Sequence, residues 1–242
     1  PSDLPSEVRS CSEVTIDATP LRYPTTGTLS YAWTLDGMAY SSASTIVPDQ
    51  SGEYVVQITY ANGGESLSYS ETVEVALDTP PVLNLGEDQI ICAGESATLE
   101  SNVPGDSLFW YNSTGVVVST SQTYVTSTPD TYQLVVYQST CSSDTTITVS
   151  TIEFPEAGFN ASATVACEGE DVTFESVVQA AAGDAISTYS WDFDDGNSST
   201  EQNPVKSFAN SETYSVTLTV TSLVGCTDDF TMDITVKPKP VI

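Results

Sequence analysis

The chain has 242 residues, of which 33 are acidic, five are basic and none is histidine, for a net charge of −28. That balance excludes nucleic-acid binding, which needs a basic footprint, disfavours anionic membrane surfaces, and removes every triad or metal site built on histidine. No apolar run approaches the roughly 18 residues needed to cross a bilayer, yet 39% hydrophobic residues with twelve Tyr, seven Phe and three Trp suffice for folded cores.

Serine and threonine number 33 each. Thr suits a pleated, half-buried surface and Ser suits turns, so the composition reads as all-β. Three repeats then follow in chain order. The first runs from Cys11-Ser-Glu-Val-Thr-Ile16 through Tyr31-Ala-Trp-Thr-Leu35 and the Asp36-Gly37 turn to Ser51-Gly-Glu-Tyr-Val-Val-Gln-Ile-Thr59. Thr79-Pro-Pro-Val82 is the first joint. The second repeat carries Cys92-Ala-Gly-Glu-Ser-Ala-Thr-Leu99, Leu108-Phe-Trp-Tyr111, Pro129-Asp-Thr-Tyr-Gln-Leu-Val-Val-Tyr137 and Cys141. Ile152-Glu-Phe-Pro-Glu156 is the second joint. The third carries Cys167-Glu-Gly-Glu-Asp-Val-Thr-Phe174, Tyr189-Ser-Trp-Asp-Phe193, Ser211-Glu-Thr-Tyr-Ser-Val-Thr-Leu-Thr219 and Cys226, and ends in Val236-Lys-Pro-Lys-Pro-Val-Ile242.

The Trp-to-Tyr separations are 21, 22 and 23 residues, and the Trp-to-Trp steps are 77 and 81. One Trp per repeat, in register, does not depend on composition. Several short alternating runs in about eighty residues predict a β-sandwich of immunoglobulin type. The fold expected is therefore all-β, with three tandem Ig-like sandwiches in a rod-like array at 1–78, 79–153 and 154–242, and the start of a further linker or domain at 237–242. Trp33, Trp110 and Trp191 are the expected core anchors on a central strand, with Tyr54, Tyr132 and Tyr214 placed like the tyrosine of a tyrosine corner. Tyr111, Tyr124 and Tyr137 are candidates for surface aromatics.

The third repeat resembles a PKD domain. Trp191-Asp-Phe-Asp-Asp-Gly196 is similar to that family's W-D-F-G-D-G signature, with Asp194 for the first Gly. Asn203-Pro204, Phe208 and Thr213-Tyr214 continue the match, with Glu212 where the family usually has Gly. The pattern C-x-G-E…W…T-Y…C, in acidic Ser/Thr-rich tandem, resembles the giant surface adhesins of gliding Bacteroidota. That resemblance implies type IX secretion, an extracellular cell-surface location and a role in attachment and gliding motility. It implies a non-catalytic stalk whose partners are neighbouring repeats, with a surface or polysaccharide ligand bound elsewhere. The alternative is a set of spacer or accessory carbohydrate- or protein-binding modules of a secreted depolymerase. A laterally pairing surface-layer subunit is a third reading.

Five cysteines without a C-x-x-C pair or a histidine argue for disulfides and an oxidising compartment. Repeat register suggests Cys92–Cys141 and Cys167–Cys226, leaving Cys11 unpaired. Pairing between neighbours, such as Cys141 with Cys167, is the rival. Asp192, Asp194 and Asp195 before Gly196, with Asp228 and Asp229, could gather enough carboxylate oxygen for calcium, which some PKD-like domains bind. The competing reading is a hydrogen-bonded Asp-Gly turn. Linker acids Asp78, Glu87, Asp88, Glu153 and Glu156 offer a second calcium possibility against plain solvated charge. No other cofactor is implied.

Overall fold

The computed structural model describes residues 4–22 and 26–240, and every named element in it is a strand. The last two residues of the expected further linker, 241 and 242, lie outside the described residues. The first repeat contributes β1 (Glu7–Ser10), β2 (Ile16–Asp17), β3 (Thr28–Leu35), β4 (Met38–Ser41), β5 (Thr45–Ile46), β6 (Gly52–Asn62) and β7 (Glu65–Leu77). The second contributes β8 (Gln89–Cys92), β9 (Ala97–Glu100), β10 (Ser107–Tyr111), β11 (Val117–Ser119), β12 (Thr123–Thr126), β13 (Asp130–Gln138) and β14 (Cys141–Ile152). The third contributes β15 (Phe159–Ala161), β16 (Val165–Cys167), β17 (Asp171–Ser176), β18 (Ile186–Asp192), β19 (Ser198–Ser199), β20 (Val205–Ser207), β21 (Thr213–Ser222) and β22 (Thr227–Lys237).

Two compact units divide the chain: residues 1–85, 101–122 and 133–146 form one, and residues 86–100, 123–132 and 147–242 the other. In the first unit, a five-stranded sheet in the order β1-β7-β6-β3-β4 faces the small β2–β5 pair. Ile16 and Ile46 of the small pair share one core with Trp33, Tyr54, Val56, Ile58, Val73 and Val75 of the large sheet. The same unit holds β10 paired with β11 and β13. In the second unit, a sheet in the order β16-β22-β21-β18-β19 packs with β15-β17-β20. Phe159, Val172 and Phe174 close against Trp191, Val216, Leu218, Val220 and Ile234. That unit also holds β9 paired with β12, and β8 running parallel to the end of β14.

The alternation read in the sequence is what builds these cores. Side chains on a strand point to opposite faces with period two. In β6, Tyr54, Val56 and Ile58 are buried; in β13, Tyr132, Leu134 and Val136; in β21, Tyr214, Val216, Leu218 and Val220. All three Trp are buried. A buried indole N–H needs a partner, and each repeat supplies the same kind. Trp33 Nε1 donates to the Ala43 carbonyl at 2.9 Å, Trp110 to Ser121 at 3.0 Å and Trp191 to Glu201 at 2.9 Å.

The tyrosine corner also recurs three times. Tyr54 Oη donates to the Gln50 carbonyl (3.0 Å), Tyr132 to Thr128 (2.8 Å) and Tyr214 to Asn210 (3.1 Å), four residues upstream in every case. The ring fills the core while the hydroxyl ties down the loop that enters the strand. In the third repeat the Tyr214 ring also stacks on Phe208, with centroids 4.4 Å apart.

Truncating Trp191→Ala is expected to cost about 3–5 kcal/mol through cavity formation. Tyr214→Phe keeps the ring and loses one hydrogen bond, for a cost of about 1 kcal/mol. Urea titration of both variants checks the ranking. A Trp191→Ala loss no larger than that of Tyr214→Phe contradicts the placement of the indole as the core anchor.

Candidate functional site

Two disulfides join adjoining repeats, each with polar side chains beside it. Cys11 bonds Cys141, with Cα atoms 5.0 Å apart, and Cys92 bonds Cys226, with Cα atoms 5.7 Å apart. Cys167 is a free thiol. This corrects the pairing expected from repeat register. Cys92–Cys141 and Cys167–Cys226 do not form, Cys167 is not a disulfide cysteine, and Cys11 is. The Cys141–Cys167 rival does not form either.

The physical reason is strand length. Cys92 lies opposite Ile152, the last residue of β14, while Cys141 is the first residue of that strand. At about 3.3 Å per residue, twelve residues separate the two by about 36 Å, and a disulfide requires Cα atoms within about 7 Å. The third repeat repeats the arrangement. Cys167 lies opposite Lys237 at the end of β22, and Cys226 immediately precedes Thr227 at its start. Within a repeat the two cysteines sit at opposite ends of the last strand, so they do not bond each other, and both disulfides join cysteines of adjoining repeats.

The first disulfide is flanked by a polar clasp. Asp78, one residue past β7, accepts Arg9 Nε at 3.0 Å and Arg9 Nη2 at 3.1 Å, on its two oxygens. The same carboxylate accepts the Thr140 hydroxyl at 2.9 Å and the Thr140 backbone N–H at 3.3 Å. Arg9 is two residues before Cys11, and Thr140 is the residue before Cys141. The Arg9 guanidinium, with help from Thr140 and Ser139, holds the Asp78 carboxyl well below the usual carboxylate range against its partial desolvation. At the second disulfide, the Asp228 carboxylate accepts the Ala157 N–H at 2.8 Å. Arg9 and Asp78 are 69 residues apart, and no spacing in the sequence signals their pairing.

The five aspartates considered for calcium do not converge. Asp194 bonds the Ser215 N–H, toward the start of β21, whereas Asp228 faces Val220 and Asp229 faces Thr219, toward its end. Four or five residues along a strand separate the two groups by about 13–17 Å. Each carboxylate of the turn also has a local partner. Asp192 accepts the Asp194 N–H at 2.9 Å, and Asp194 holds a left-handed φ of 59°. Asp195 accepts the Asn197 N–H at 3.1 Å and pairs with Lys206 at 2.6 Å. Burial works to raise the Asp195 pKa, but Lys206 and Asn197 together hold it below the ordinary value. Among the linker acids, Asp78 is occupied as described and Asp88 accepts the Thr148 N–H at 2.7 Å. Glu87, Glu153 and Glu156 are exposed. Among the described residues, no group of three or more His, Cys, Asp or Glu is placed to hold a metal ion.

Tyr137 and Tyr111 do reach the surface. With Phe109 they line the outer face of β10 and β13, Phe109 lying 6.1 Å from Tyr137 and 6.4 Å from Tyr111. Tyr124 instead packs edge-on against Tyr132 at 5.3 Å.

Residues 153–237 match the PKD domain family. No curated protein matches the chain. Among solved structures, the PKD1 domain of the Vibrio cholerae metalloprotease PrtV is 34% identical over 35% of this chain and 98% of that domain, with a TM-score of 0.31. The PKD1 domain of Vibrio anguillarum Epp is 27% identical over 36% of this chain and 99% of its own, with a TM-score of 0.33. The three N-terminal domains of the bacteriophage RB49 outer capsid protein Hoc are 13% identical over 96% and 95%, with a TM-score of 0.49. The fold is that of tandem Ig- and PKD-like β-sandwiches, and such domains with disulfides are typical of extracellular proteins.

A carboxylate whose folded pKa is depressed adds stability that is present above its unfolded value, near 4, and is lost as pH falls through the folded value. The Asp78 clasp is therefore expected to persist at neutral pH and to open only in strong acid. Asp78→Asn removes the charge that orders Arg9 and Thr140. Amide hydrogen exchange at Thr140 is expected to rise several-fold in that variant at pH 7, with no change at Asn197. Unchanged protection of Thr140 contradicts the clasp.

Proposed function

We propose, for a chain whose residues 153–237 belong to the PKD domain family, that it is a load-bearing stalk segment of a long cell-surface adhesin. It takes no catalytic role. It projects a binding region away from the cell and serves attachment and gliding motility, with export by the type IX route. The resemblance of its repeats to gliding adhesins supports that setting. The observation that carries the mechanical reading is the staggering of the two disulfides.

Cys11–Cys141 and Cys92–Cys226 close overlapping loops. Under tension applied at the chain ends, force enters at Cys11, crosses to Cys141, and reaches the Cys92–Cys226 bond by the shortest covalent route, the segment between 92 and 141. Residues 12–91 and 142–225 form longer parallel routes and are shielded from full extension. Unfolding the first or third sandwich then adds no length beyond that set by the 92–141 segment. The acid dispersed over the repeats keeps neighbouring filaments apart and soluble.

Single-molecule pulling from both ends tests this. A fully extended residue spans about 3.5 Å, so the oxidised chain should stretch to about 270 Å and the reduced chain to about 840 Å. The expected signature is a roughly threefold gain in final length on adding reductant. Full extension without reductant overturns the load-bearing role.

A second reading is favoured by the surface aromatics Phe109, Tyr111 and Tyr137. Aromatic faces presented on a sheet suit stacking against sugar rings, as an accessory carbohydrate-binding module would require. Retention of the chain on an immobilised polysaccharide, abolished by Tyr137→Ala with an unchanged melting temperature, would support that reading. Equal passage of both proteins through the column rejects it.

A further inference from the structure

Three cysteines occupy one structural position, and two of them are bonded. Cys92 closes β8 opposite Ile152, the last residue of β14. Cys167 closes β16 opposite Lys237, the last residue of β22. Cys11 follows β1, whose final residue Ser10 lies opposite Leu77, the last residue of β7. Two backbone hydrogen bonds recur around Cys92 and Cys167. Glu95 N–H donates to the Cys92 carbonyl at 2.9 Å, and Glu170 N–H to the Cys167 carbonyl at 3.0 Å. Ala93 N–H donates to Ile152 at 2.8 Å, and Glu168 N–H to Lys237 at 3.0 Å. Gly94 and Gly169 turn the chain with φ of 86° and 73°, a conformation that favours glycine.

The partners follow one rule as well. Cys11 and Cys92 each reach the turn between the last two long strands of the adjoining C-terminal repeat, at sequence separations of 130 and 134. Cys141 and Cys226, the turn cysteines of the second and third repeats, are both already bonded. The corresponding turn of the first repeat is Asn62-Gly63-Gly64-Glu65 and has no cysteine to offer. Cys167 is left with the geometry of a bonded position and a half-exposed thiol.

We propose that Cys167 is one half of a third disulfide, whose other half is a hairpin-turn cysteine of a further sandwich repeat, about 130 residues C-terminal to it in the same polypeptide. This rests on reading the chain as part of a longer repeat array. The covalent step is ordinary thiol–disulfide exchange with a small-molecule disulfide as oxidant. The Cys167 thiolate attacks one sulfur of the oxidant and expels the first thiol. The hairpin thiolate then attacks the Cys167 sulfur of the mixed disulfide and expels the second. Two protein thiols are oxidised, one oxidant disulfide is reduced to two thiols, and the protons pass to the leaving thiolates.

The test is a protein in which residues 79–242 are repeated after Ile242, so that a copy of the Cys141 hairpin follows the third repeat. It is refolded with oxidised glutathione and mapped without reduction. The expected product is a Cys167–Cys141 linked peptide beside an undiminished Cys11–Cys141 peptide. With the second copy carrying Cys167→Ser, so that one Cys167 remains, labelling of that thiol by an alkylating agent should fall at least tenfold relative to the 242-residue chain. Cys167→Ser in the first copy should remove the linked peptide and leave the other disulfides intact. Full alkylation of Cys167 in the extended protein overturns the proposal. So does a Cys167–Cys167 dimer of the 242-residue chain under the same conditions, which assigns the thiol to a second copy. The mapping reads connectivity alone, so its failure is distinct from a failure of the load-bearing role, which the pulling experiment reads.

Discussion

The parallel pairing of a short first strand with the exit end of the last strand is the constraint from which the rest follows. β1 does this with β7, β8 with β14 and β16 with β22. A parallel edge strand of three or four residues leaves its final residue level with the point where the chain departs from that repeat. The cysteine there is carried to the exit. The hairpin cysteine, at the other end of the same last strand, is carried to the opposite pole. With about 36 Å of strand between them, a bond inside one repeat is impossible, and bonds in series between adjoining repeats become the available closure.

The same geometry explains which features of the chain could be read in advance. Trp33, Trp110 and Trp191 and the three corner tyrosines are local signals. A period-two run fixes which face is buried, and a Tyr at the start of such a run needs only a carbonyl four residues upstream. These interactions depend on neighbours in sequence, so register alone locates them. The cysteine pairing does not. Each repeat offers two cysteines at a matching spacing, and a repeat pattern says that positions are equivalent, not which equivalent positions touch. Counting does not decide either, since one scheme strands Cys11 and the other strands Cys167. The deciding quantity is the length of the strand between the two cysteines, which the Ser/Thr-rich run of β14 carries but which becomes an argument only once β8 is known to be parallel to it.

The aspartates fail as a group for a related reason. Asp192, Asp194 and Asp195 are close in sequence and stay close in space, but the turn built on a left-handed Asp194 takes Asp192 and Asp195 oxygens for its own N–H groups, and Asp194 accepts the Ser215 N–H of β21. Short polar side chains satisfy local backbone donors more readily than they assemble a six-oxygen cage. Asp228 and Asp229 belong to an antiparallel partner, so their distance from the turn is set by register rather than by chain separation.

The charge of −28 acquires a structural meaning through the disulfides. Two of the five cations are committed, Arg9 to Asp78 and Lys206 to Asp195. Exposed ion pairs of the Arg9 kind contribute little and weaken with salt, so they cannot by themselves hold together repeats that all carry excess acid. A covalent bond is indifferent to ionic strength and to like-charge repulsion. Closing loops of 130 and 134 residues corresponds to about 5 kcal/mol each in the chain-entropy treatment, an upper bound here because the loops overlap and one closure already restricts the unfolded chain of the other. The division of labour follows. Apolar cores anchored by Trp and Tyr stabilise the sandwiches, surface acid keeps the chain soluble, and the staggered disulfides carry the continuity between repeats that neither charge nor the small cores supply.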